Sequence, residues 1–242
     1  MLSPYSIPLN GYVAGTAAPF MVVQDGHFYL SLLPTVLDNT IAAKRVPALV
    51  AILIDSGGGD AQGSQRGLEY DTLSGRYSDF IESEVLPRVT AKTGVTLTGD
   101  PDGRATMGVS SGAACAFTMA WFHPERYRRV LSYSGTFVNQ QSPPSAQSPR
   151  GAWEYHATLI PAAERKPLRV WLEVGERDLH ADDPEETWHN WPLANRRMAH
   201  ALAAKGYAYR FTLSRDGRHA DTRVLEHTLP DALAWVWAGY GG

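Results

Sequence analysis

The sequence predicts a three-layer α/β domain in which helices cover both faces of a mostly parallel central sheet. Short apolar runs alternate with helical segments along the chain, which is the order typical of parallel strands joined by helical crossovers. Most of these runs are apolar along most of their length, as expected of strands buried between two layers of helices, and the last one alternates. A length of 242 residues suits one domain of this class, and neither a repeat nor a linker divides residues 1–242.

Apolar segments of strand length define the predicted sheet. They are Phe20–Val23, Ala48–Ile54, Thr106–Val109, Val130–Tyr133, Leu168–Val174 and Tyr207–Leu213. These segments are short and rich in β-branched or aromatic side chains, which favour the extended conformation. Asp25-Gly26 follows the first of them and is a typical turn signal.

The predicted helices lie between these strands. They are about Leu32–Ala43, a segment with Tyr77, Ile81, Val85 and Val89 at four-residue steps, Ser111–Phe122, Leu193–Lys205 and Thr222–Trp237. Four-residue steps place apolar side chains on one face of a helix, which can pack on a sheet. The segment from Ser111 to Phe122 is apolar on nearly every side, so we expect it to be buried. The long connections are a glycine-rich loop at 55–67 and a Ser/Pro/Gln-rich loop at 139–149.

Composition argues against several classes of protein. With 22 Lys and Arg against 25 Asp and Glu, the net charge of -3 gives no reason to expect nucleic acid or an anionic membrane as a partner. No apolar run approaches the roughly 20 residues needed to span a bilayer, and the first residues lack the pattern of a signal peptide. We expect a soluble protein, cytoplasmic or exported. The single cysteine, Cys115, lies in an apolar stretch and is interpreted as a core residue.

The most informative motif is Gly-x-Ser-x-Gly at Gly108–Gly112. A strand-like run precedes it and a helix of small residues follows it, which is the setting of a nucleophile elbow. Such an elbow holds its serine, here Ser110, at a strained backbone angle with the hydroxyl above the sheet. The flanking glycines avoid collisions with neighbouring backbone. The N–H groups at the start of the following helix would face a developing oxyanion. This motif favours an α/β-hydrolase fold.

A serine hydroxyl is a weak nucleophile until an imidazole can take its proton, and the imidazole needs a carboxylate to fix its tautomer. In α/β-hydrolases the acid and then the histidine follow later strands. His219 lies between the last predicted strand and the last helix, so it is the candidate base. Asp178, after the strand that ends near Gly175, is the first candidate for the acid, with Asp182 and Asp183 as alternatives.

Two sequence patterns that could suggest an ion-binding site are weaker evidence than the serine motif. The cluster Asp178-x-His180-x-Asp182-Asp183 lacks the glycine and terminal glutamate of a calcium loop, and no second His/Cys pair follows at zinc-like spacing. Gly57-Gly58-Gly59 is not followed by Gly-Lys-Ser/Thr, so we interpret it as a flexible loop beside the site. We expect neither a metal nor a cofactor.

An oxyanion hole requires two backbone N–H groups. Ser111, the residue after the nucleophile, is expected to supply one. The turn after the first long strand is expected to supply the other, because Gly26 would let the backbone approach a substrate carbonyl closely, and His27 would then contribute its amide.

Aromatic and histidine side chains on the loops are candidates for a substrate pocket. They are Phe137, Trp153, His156, Trp188 and Trp191. Taken singly, each of these residues is better interpreted as part of the core, because large rings bury much area. Together on loops that face the serine, they favour a bulky ester over a formyl thioester.

Runs in a particular order resemble the esterase-D-like putative esterase family. They are Val22–Gly26, Arg66–Asp71, Met107–Gly112 and Tyr133–Phe137. The group includes enterochelin esterases, S-formylglutathione hydrolases, feruloyl and acetylxylan esterases and mycolyltransferases. The resemblance extends from about Pro19 onward. It implies an α/β-hydrolase fold, no cofactor and acyl transfer to water through an acyl-serine. It also supports Ser110, Asp178 and His219 as the triad, and the amides of His27 and Ser111 as oxyanion donors.

The chain departs from that family at its N-terminus. Related proteins usually carry an antiparallel strand pair before the Asp-Gly strand, whereas only about 18 residues precede it here and Tyr5–Val13 can form one short strand at most. We therefore expect a sheet shortened at this edge, with Met1–Val13 covering the edge or exchanging with a second chain. A homodimer is a hypothesis on this basis, since an exposed edge strand invites pairing. The family's Arg-x-x-Glu segment is matched by Arg66 and Glu69, which we interpret as an ion pair in the pocket wall.

These observations favour a serine carboxylesterase that acts on a small or medium ester, such as an aryl ester, an acylated sugar or a siderophore lactone. Two alternatives stay open at this point. One is an acyltransferase that passes the same acyl group to an alcohol, and the other is a binding module that kept the fold without activity. No large insertion offers a helical lid, so a lipase acting at a lipid interface is not expected.

Overall fold

In the computed structural model, which describes residues 15–241, parallel strands form one central sheet. They are β1 (Phe20–Gln24), β2 (Val50–Ile54), β3 (Arg104–Val109), β4 (Arg129–Tyr133), β5 (Arg169–Arg177) and β6 (Ala208–Arg218). Their order is β2-β1-β3-β4-β5-β6, and each neighbouring pair is parallel. All of the predicted strands are therefore confirmed, and β5 and β6 extend beyond their predicted ends.

The described helices lie between these strands, except for the last one, which follows β6, and they follow the predicted pattern. They are α1 (Gly26–Tyr29), α2 (Leu33–Ala42), α3 (Gln65–Tyr70), α4 (Arg76–Phe80), α5 (Leu86–Thr93), α6 (Ser111–Phe122), α7 (Ile160–Ala162), α8 (Trp191–Ala204) and α9 (Thr222–Trp237). A π-helical turn at Ile81–Val85 joins α4 to α5. The sequence analysis missed α3, which is short and begins inside the glycine-rich loop, where the Ser64 hydroxyl caps it by accepting from the Gly67 N–H.

Two hydrophobic clusters, one on each face of the sheet, produce the three layers. Along β1, Phe20 and Val22 face the cluster that includes α6 and α8, whereas Met21 and Val23 face the cluster that includes α2 and α9. This alternation follows from the two-residue period of a strand. The predicted burial of α6 and of Cys115 is confirmed, because all but the last residue of α6 is buried.

The predicted N-terminal features lie outside the described residues. These are the short strand at Tyr5–Val13 and the covering or exchange of the sheet edge by Met1–Val13. In the described part, β2 is the strand at that edge of the sheet. The homodimer hypothesis therefore stays a prediction. None of the helices within residues 15–241 combines the length and the apolar character that a membrane crossing requires.

Candidate active site

The elbow at Ser110 has the strained geometry that the motif predicts. Ser110 lies between the end of β3 and the start of α6, with φ 56° and ψ −127°, a region that non-glycine residues rarely adopt. A Cβ at Gly108 would lie 2.3 Å from the backbone of Gly112, and a Cβ at Gly112 would lie 2.7 Å from the Asp25 carboxylate. Both positions therefore require glycine, and the turn presents the serine at the carboxyl end of the sheet.

Ser110, His219 and Asp178 lie in one hydrogen-bonded chain. The Ser110 Oγ is 2.9 Å from His219 Nε2, and His219 Nδ1 is 2.5 Å from Asp178 Oδ1. The Asp178 side chain is fully buried and also accepts the Leu179 N–H at 2.7 Å. With the Nδ1 proton held by Asp178, Nε2 is free to accept the serine proton. The arrangement can perform nucleophilic catalysis with a general base.

The two alternative acids lie apart from this chain. Asp183 is bonded to His180, with Oδ2 at 2.9 Å from Nδ1, and Asp182 is exposed. Between residues 15 and 241, no three His, Cys, Asp or Glu side chains come close enough together to hold a metal ion. The choice among the three aspartates is thus made by distance to His219.

The two amides predicted for the oxyanion hole differ in whether their N–H groups already have a hydrogen-bond acceptor. The Ser111 N–H stands at the N-terminus of α6, and no acceptor for it occurs in the part of the chain that the structure describes. The His27 N–H already donates to Asp55 Oδ1 at 3.1 Å, and the exposed His27 ring contacts the same oxygen at 2.7 Å. The role predicted for His27 therefore requires Asp55 to release this amide, and it stays a prediction.

The predicted ion pair between Arg66 and Glu69 is wrong. The Arg66 guanidinium instead donates two hydrogen bonds to the buried Asp25 carboxylate, with Nε–Oδ1 at 3.1 Å and Nη2–Oδ2 at 2.6 Å. Glu69 accepts from the Gly57 N–H at 2.9 Å and from the Gln65 side chain. The physical reason is burial, because a carboxylate shielded from water needs a charged partner more than a partly exposed one does.

We expect Arg66→Ala to lower the free energy of unfolding by about 3 kcal/mol or more, because it leaves the Asp25 charge buried without a partner. Denaturant unfolding measures this loss. Arg88→Ala is the matched control, since Arg88 and Glu84 form an exposed pair whose loss should cost less than about 1 kcal/mol. Equal costs for the two variants would contradict the role assigned to Arg66.

Most of the predicted pocket residues do not face the triad. Phe137 is fully buried and packs edge-on against Phe117, and Trp153 is 1% exposed. Trp153 and His156 line a separate cavity of about 650 Å³ that no triad residue lines. The pocket prediction is wrong for these three residues, because Phe137 packs within the core and Trp153 and His156 line the other cavity.

The two remaining pocket candidates lie nearer to the surface of the site. The Trp191 ring stands edge-on to the His219 ring, with ring centres 6.1 Å apart, so it packs against the candidate base. Trp188 is partly buried, and the Arg150 guanidinium covers its ring at 5.6 Å from the ring centre. Whether either side chain contacts a substrate stays a prediction.

Two buried carboxyl groups near the triad were missed by the sequence analysis. Glu173 lies on β5, and burial, with a smaller contribution from nearby Asp178, raises its pKa to about 7. Burial also raises the pKa of Asp71 to about 7, against the lowering effect of a hydrogen bond from the Ser111 side chain. The signal for Glu173 was its position as the one acidic residue inside the apolar run Leu168–Val174.

Glu173 should make the protein less stable as the pH rises. Between its ordinary value of 4.5 and about 7, the folded protein keeps a proton that the unfolded chain loses. The free energy of unfolding therefore falls by about 1.4 kcal/mol per pH unit for this one group. We expect Glu173→Gln to flatten this slope in thermal unfolding measured from pH 4.5 to 7.5. Glu226→Gln, at an exposed position on α9, should leave the slope unchanged, and an unaltered slope in Glu173→Gln would contradict the assignment.

Comparison with known proteins shows the family and the fold of this chain. Residues 7–236 match the model of the family described as "Putative esterase". The chain is similar in structure to enterochelin esterase from Shigella flexneri, with a TM-score of 0.71 at 23% identity over 97% of this chain and 54% of that one. It is also similar to a ferulic acid esterase, with a TM-score of 0.64 at 18% identity over 92% of this chain and 85% of that one.

A third similar structure is an S-formylglutathione hydrolase from Agrobacterium tumefaciens, with a TM-score of 0.59 at 14% identity over 94% of this chain and 86% of that one. The chain spans about half the length of the Shigella flexneri esterase structures that it matches. None of the curated protein sequences matches it. At these identities the structural likeness describes the fold.

Proposed function

The chain belongs to the putative esterase family, and from this premise we propose that it is a serine carboxylesterase that acts through an acyl-serine intermediate. The observation that carries this proposal is the chain of hydrogen bonds from Ser110 through His219 to the buried Asp178, at 2.9 Å and 2.5 Å. The strained elbow supports it further, because such strain persists where function requires it.

Acylation would begin when Ser110 Oγ attacks the ester carbonyl carbon and His219 Nε2 takes the serine proton. The carbonyl oxygen becomes an oxyanion, which the free Ser111 N–H is placed to bind at the N-terminus of α6. His219 then returns its proton to the leaving alcohol oxygen as the carbon–oxygen bond breaks. Asp178 keeps its hydrogen bond to Nδ1 and stabilises the imidazolium that forms.

Deacylation would repeat these roles with water as the nucleophile. His219 Nε2 takes a proton from water as the water oxygen attacks the acyl carbon, and the proton then passes to Ser110 Oγ as the acid leaves. No step calls for a cofactor. Both half-reactions therefore depend on His219 as the base and on the buried Asp178 carboxylate that contacts it.

The substrate is proposed to be a small or medium ester with an aromatic group. Enterobactin and ferulic acid appear in the names of similar structures, and both serve as guides to the compounds to be tested first. The chain spans only about half of the enterobactin esterases, so their substrate is a starting point for this chain and no more.

The test is hydrolysis of short p-nitrophenyl esters by the purified full chain, together with labelling by a fluorophosphonate probe and mass spectrometry of the labelled peptide. We expect turnover and a covalent adduct at Ser110. Absence of both would overturn the proposal in favour of a silent binding module. Added alcohol that diverts most of the acyl group into a new ester would instead support the acyltransferase alternative.

A further inference from the structure

The turn that follows β4 contacts the nucleophile, the base loop and β5, although it contains no member of the triad. We call residues Ser134–Thr136 the β4 turn. The Ser134 N–H donates to the carbonyl of Glu173 at 2.9 Å, and the Thr136 N–H donates to the carbonyl of Ser110 at 3.1 Å. From the opposite side, the Asn195 side chain on α8 donates to the carbonyl of Gly135 at 2.9 Å. The β4 turn is thus held at a fixed position among the strands that carry the site.

Ser134 connects the β4 turn to the loop of the base. Its hydroxyl accepts the N–H of Ala220, the residue after His219, at 3.0 Å. Ser134 is 1% exposed and has φ 49°, a conformation that glycine would adopt without strain. A buried serine at a position that suits glycine better indicates that its hydroxyl has a role. The contact indicates this role, because the Ser134 hydroxyl accepts a hydrogen bond from the backbone N–H of the residue directly after His219.

Thr136 connects the β4 turn to the nucleophile itself. Its buried hydroxyl oxygen lies 3.3 Å from Ser110 Oγ, on which His219 Nε2 also converges at 2.9 Å. When Ser110 donates its proton to His219, a lone pair of Oγ remains to accept the Thr136 hydroxyl proton. This bond strengthens as negative charge grows on Oγ during attack and weakens once Oγ has become an ester oxygen. Such an interaction favours the transition state over the ground state.

We propose that the β4 turn sets the geometry of the triad, with Thr136 as a catalytic hydrogen-bond donor to Ser110 Oγ and Ser134 as a positioning residue for the loop of His219. This inference rests on the proposed serine-esterase function. It adds two hydroxyl groups, from a segment between the nucleophile and the acid, to the machinery of the same site.

Thr136→Val tests the donor, because valine keeps the shape of threonine and removes the hydroxyl. We expect kcat for p-nitrophenyl acetate to fall roughly 10-fold with KM within about twofold, as for a group that acts only in the transition state. Thr136→Ser keeps the hydroxyl and should restore most of kcat. Wild-type kcat in Thr136→Val, or an equal loss in Thr136→Ser, would overturn the role of this hydroxyl.

Ser134→Gly tests the positioning residue, because glycine removes the hydroxyl and relieves the strain at φ 49°. We expect a melting temperature near that of the wild type but a kcat lower by roughly 10- to 100-fold, since a displaced base is costly. Ser134→Ala should lose a similar amount of kcat. Ser132→Ala is the matched control, because it removes a buried hydroxyl without a partner in the described structure, two residues earlier on β4, and should keep wild-type kcat. Wild-type kcat in Ser134→Gly would overturn the role of Ser134.

Fluorophosphonate labelling of the same proteins distinguishes a failure of the proposed esterase function from a failure of the role proposed for the β4 turn. A wild type that neither hydrolyses esters nor reacts with the probe would overturn the proposed function and this inference with it. A wild type that does both, accompanied by Thr136→Val and Ser134→Gly variants with wild-type kcat and labelling rates, would overturn this inference alone. Slower labelling in both variants, with Ser132→Ala unchanged, is the expected result.

Discussion

Ser110→Ala should abolish ester hydrolysis, with kcat reduced by at least about 10³-fold relative to the wild type. The alanine variant keeps the elbow and the N-terminus of α6 but has no oxygen for the acyl group to join. The backbone strain at φ 56° is the same for alanine and serine, so we expect a similar melting temperature. Initial rates with p-nitrophenyl acetate and thermal unfolding measure the two effects. Turnover near the wild-type level in this variant would contradict Ser110 as the nucleophile.

Removal of the His219 side chain should lower kcat by a similar factor. The effects of the Ser110 and His219 substitutions on kcat should not multiply in the double variant. His219→Ala removes the proton acceptor at 2.9 Å from Ser110 Oγ, so the hydroxyl that remains is a poor nucleophile. Because the two groups act as one unit, the double variant should be about as slow as either single variant. A double variant that loses the product of the two single effects would indicate that Ser110 and His219 act independently.

Asp178→Asn is expected to fold normally and to lose roughly 10⁴-fold in kcat. The Asp178 carboxylate can accept a hydrogen bond from the Nδ1–H of His219, which favours the tautomer with a free lone pair on Nε2. An asparagine amide can instead donate to Nδ1, which favours the tautomer with the proton on Nε2. That tautomer cannot accept the proton of Ser110. The amide also leaves the imidazolium formed during attack without its counter-charge.

Asp183→Asn is the matched control for this prediction. Asp183 lies five positions further along the same loop and is bonded to His180, away from the triad. The expected kcat of Asp183→Asn is within about twofold of the wild type. The reverse outcome, with Asp178→Asn active and Asp183→Asn inactive, would contradict the assignment of the acid and transfer it to Asp183.

Several features of this chain follow from local sequence. The strands and the long helices are visible because apolar side chains repeat with the period of the element that buries them. The elbow at Ser110 is equally local, since two glycines, a serine and the flanking strand and helix lie within a few consecutive residues. The order of serine, acid and histidine then restricts the partners to a few positions. These inferences needed no knowledge of which segments meet in space.

Other features depend on segments that are far apart in sequence. Chain order favoured Asp178 over Asp182 and Asp183 but left all three open, and only the fold shows the contact of Asp178 with His219, 41 positions away. Arg66 was assigned the nearby Glu69, but its actual partner is Asp25, which is buried beside Gly112. The choice of partner reflects burial, and burial is a property of the whole fold.

The class of fold, the candidate nucleophile and the short list of candidates for its partners could therefore be predicted from the sequence, because each prediction depends on residues close together in the chain. Three other features became visible only in the folded protein: the contact of Asp178 with His219, the place of Phe137 and Trp153 in the core, and the contact of Ser134 with the loop of His219 from 86 positions away. The physical reason is that burial and hydrogen-bond partners at such separations arise only when the strands assemble into one sheet.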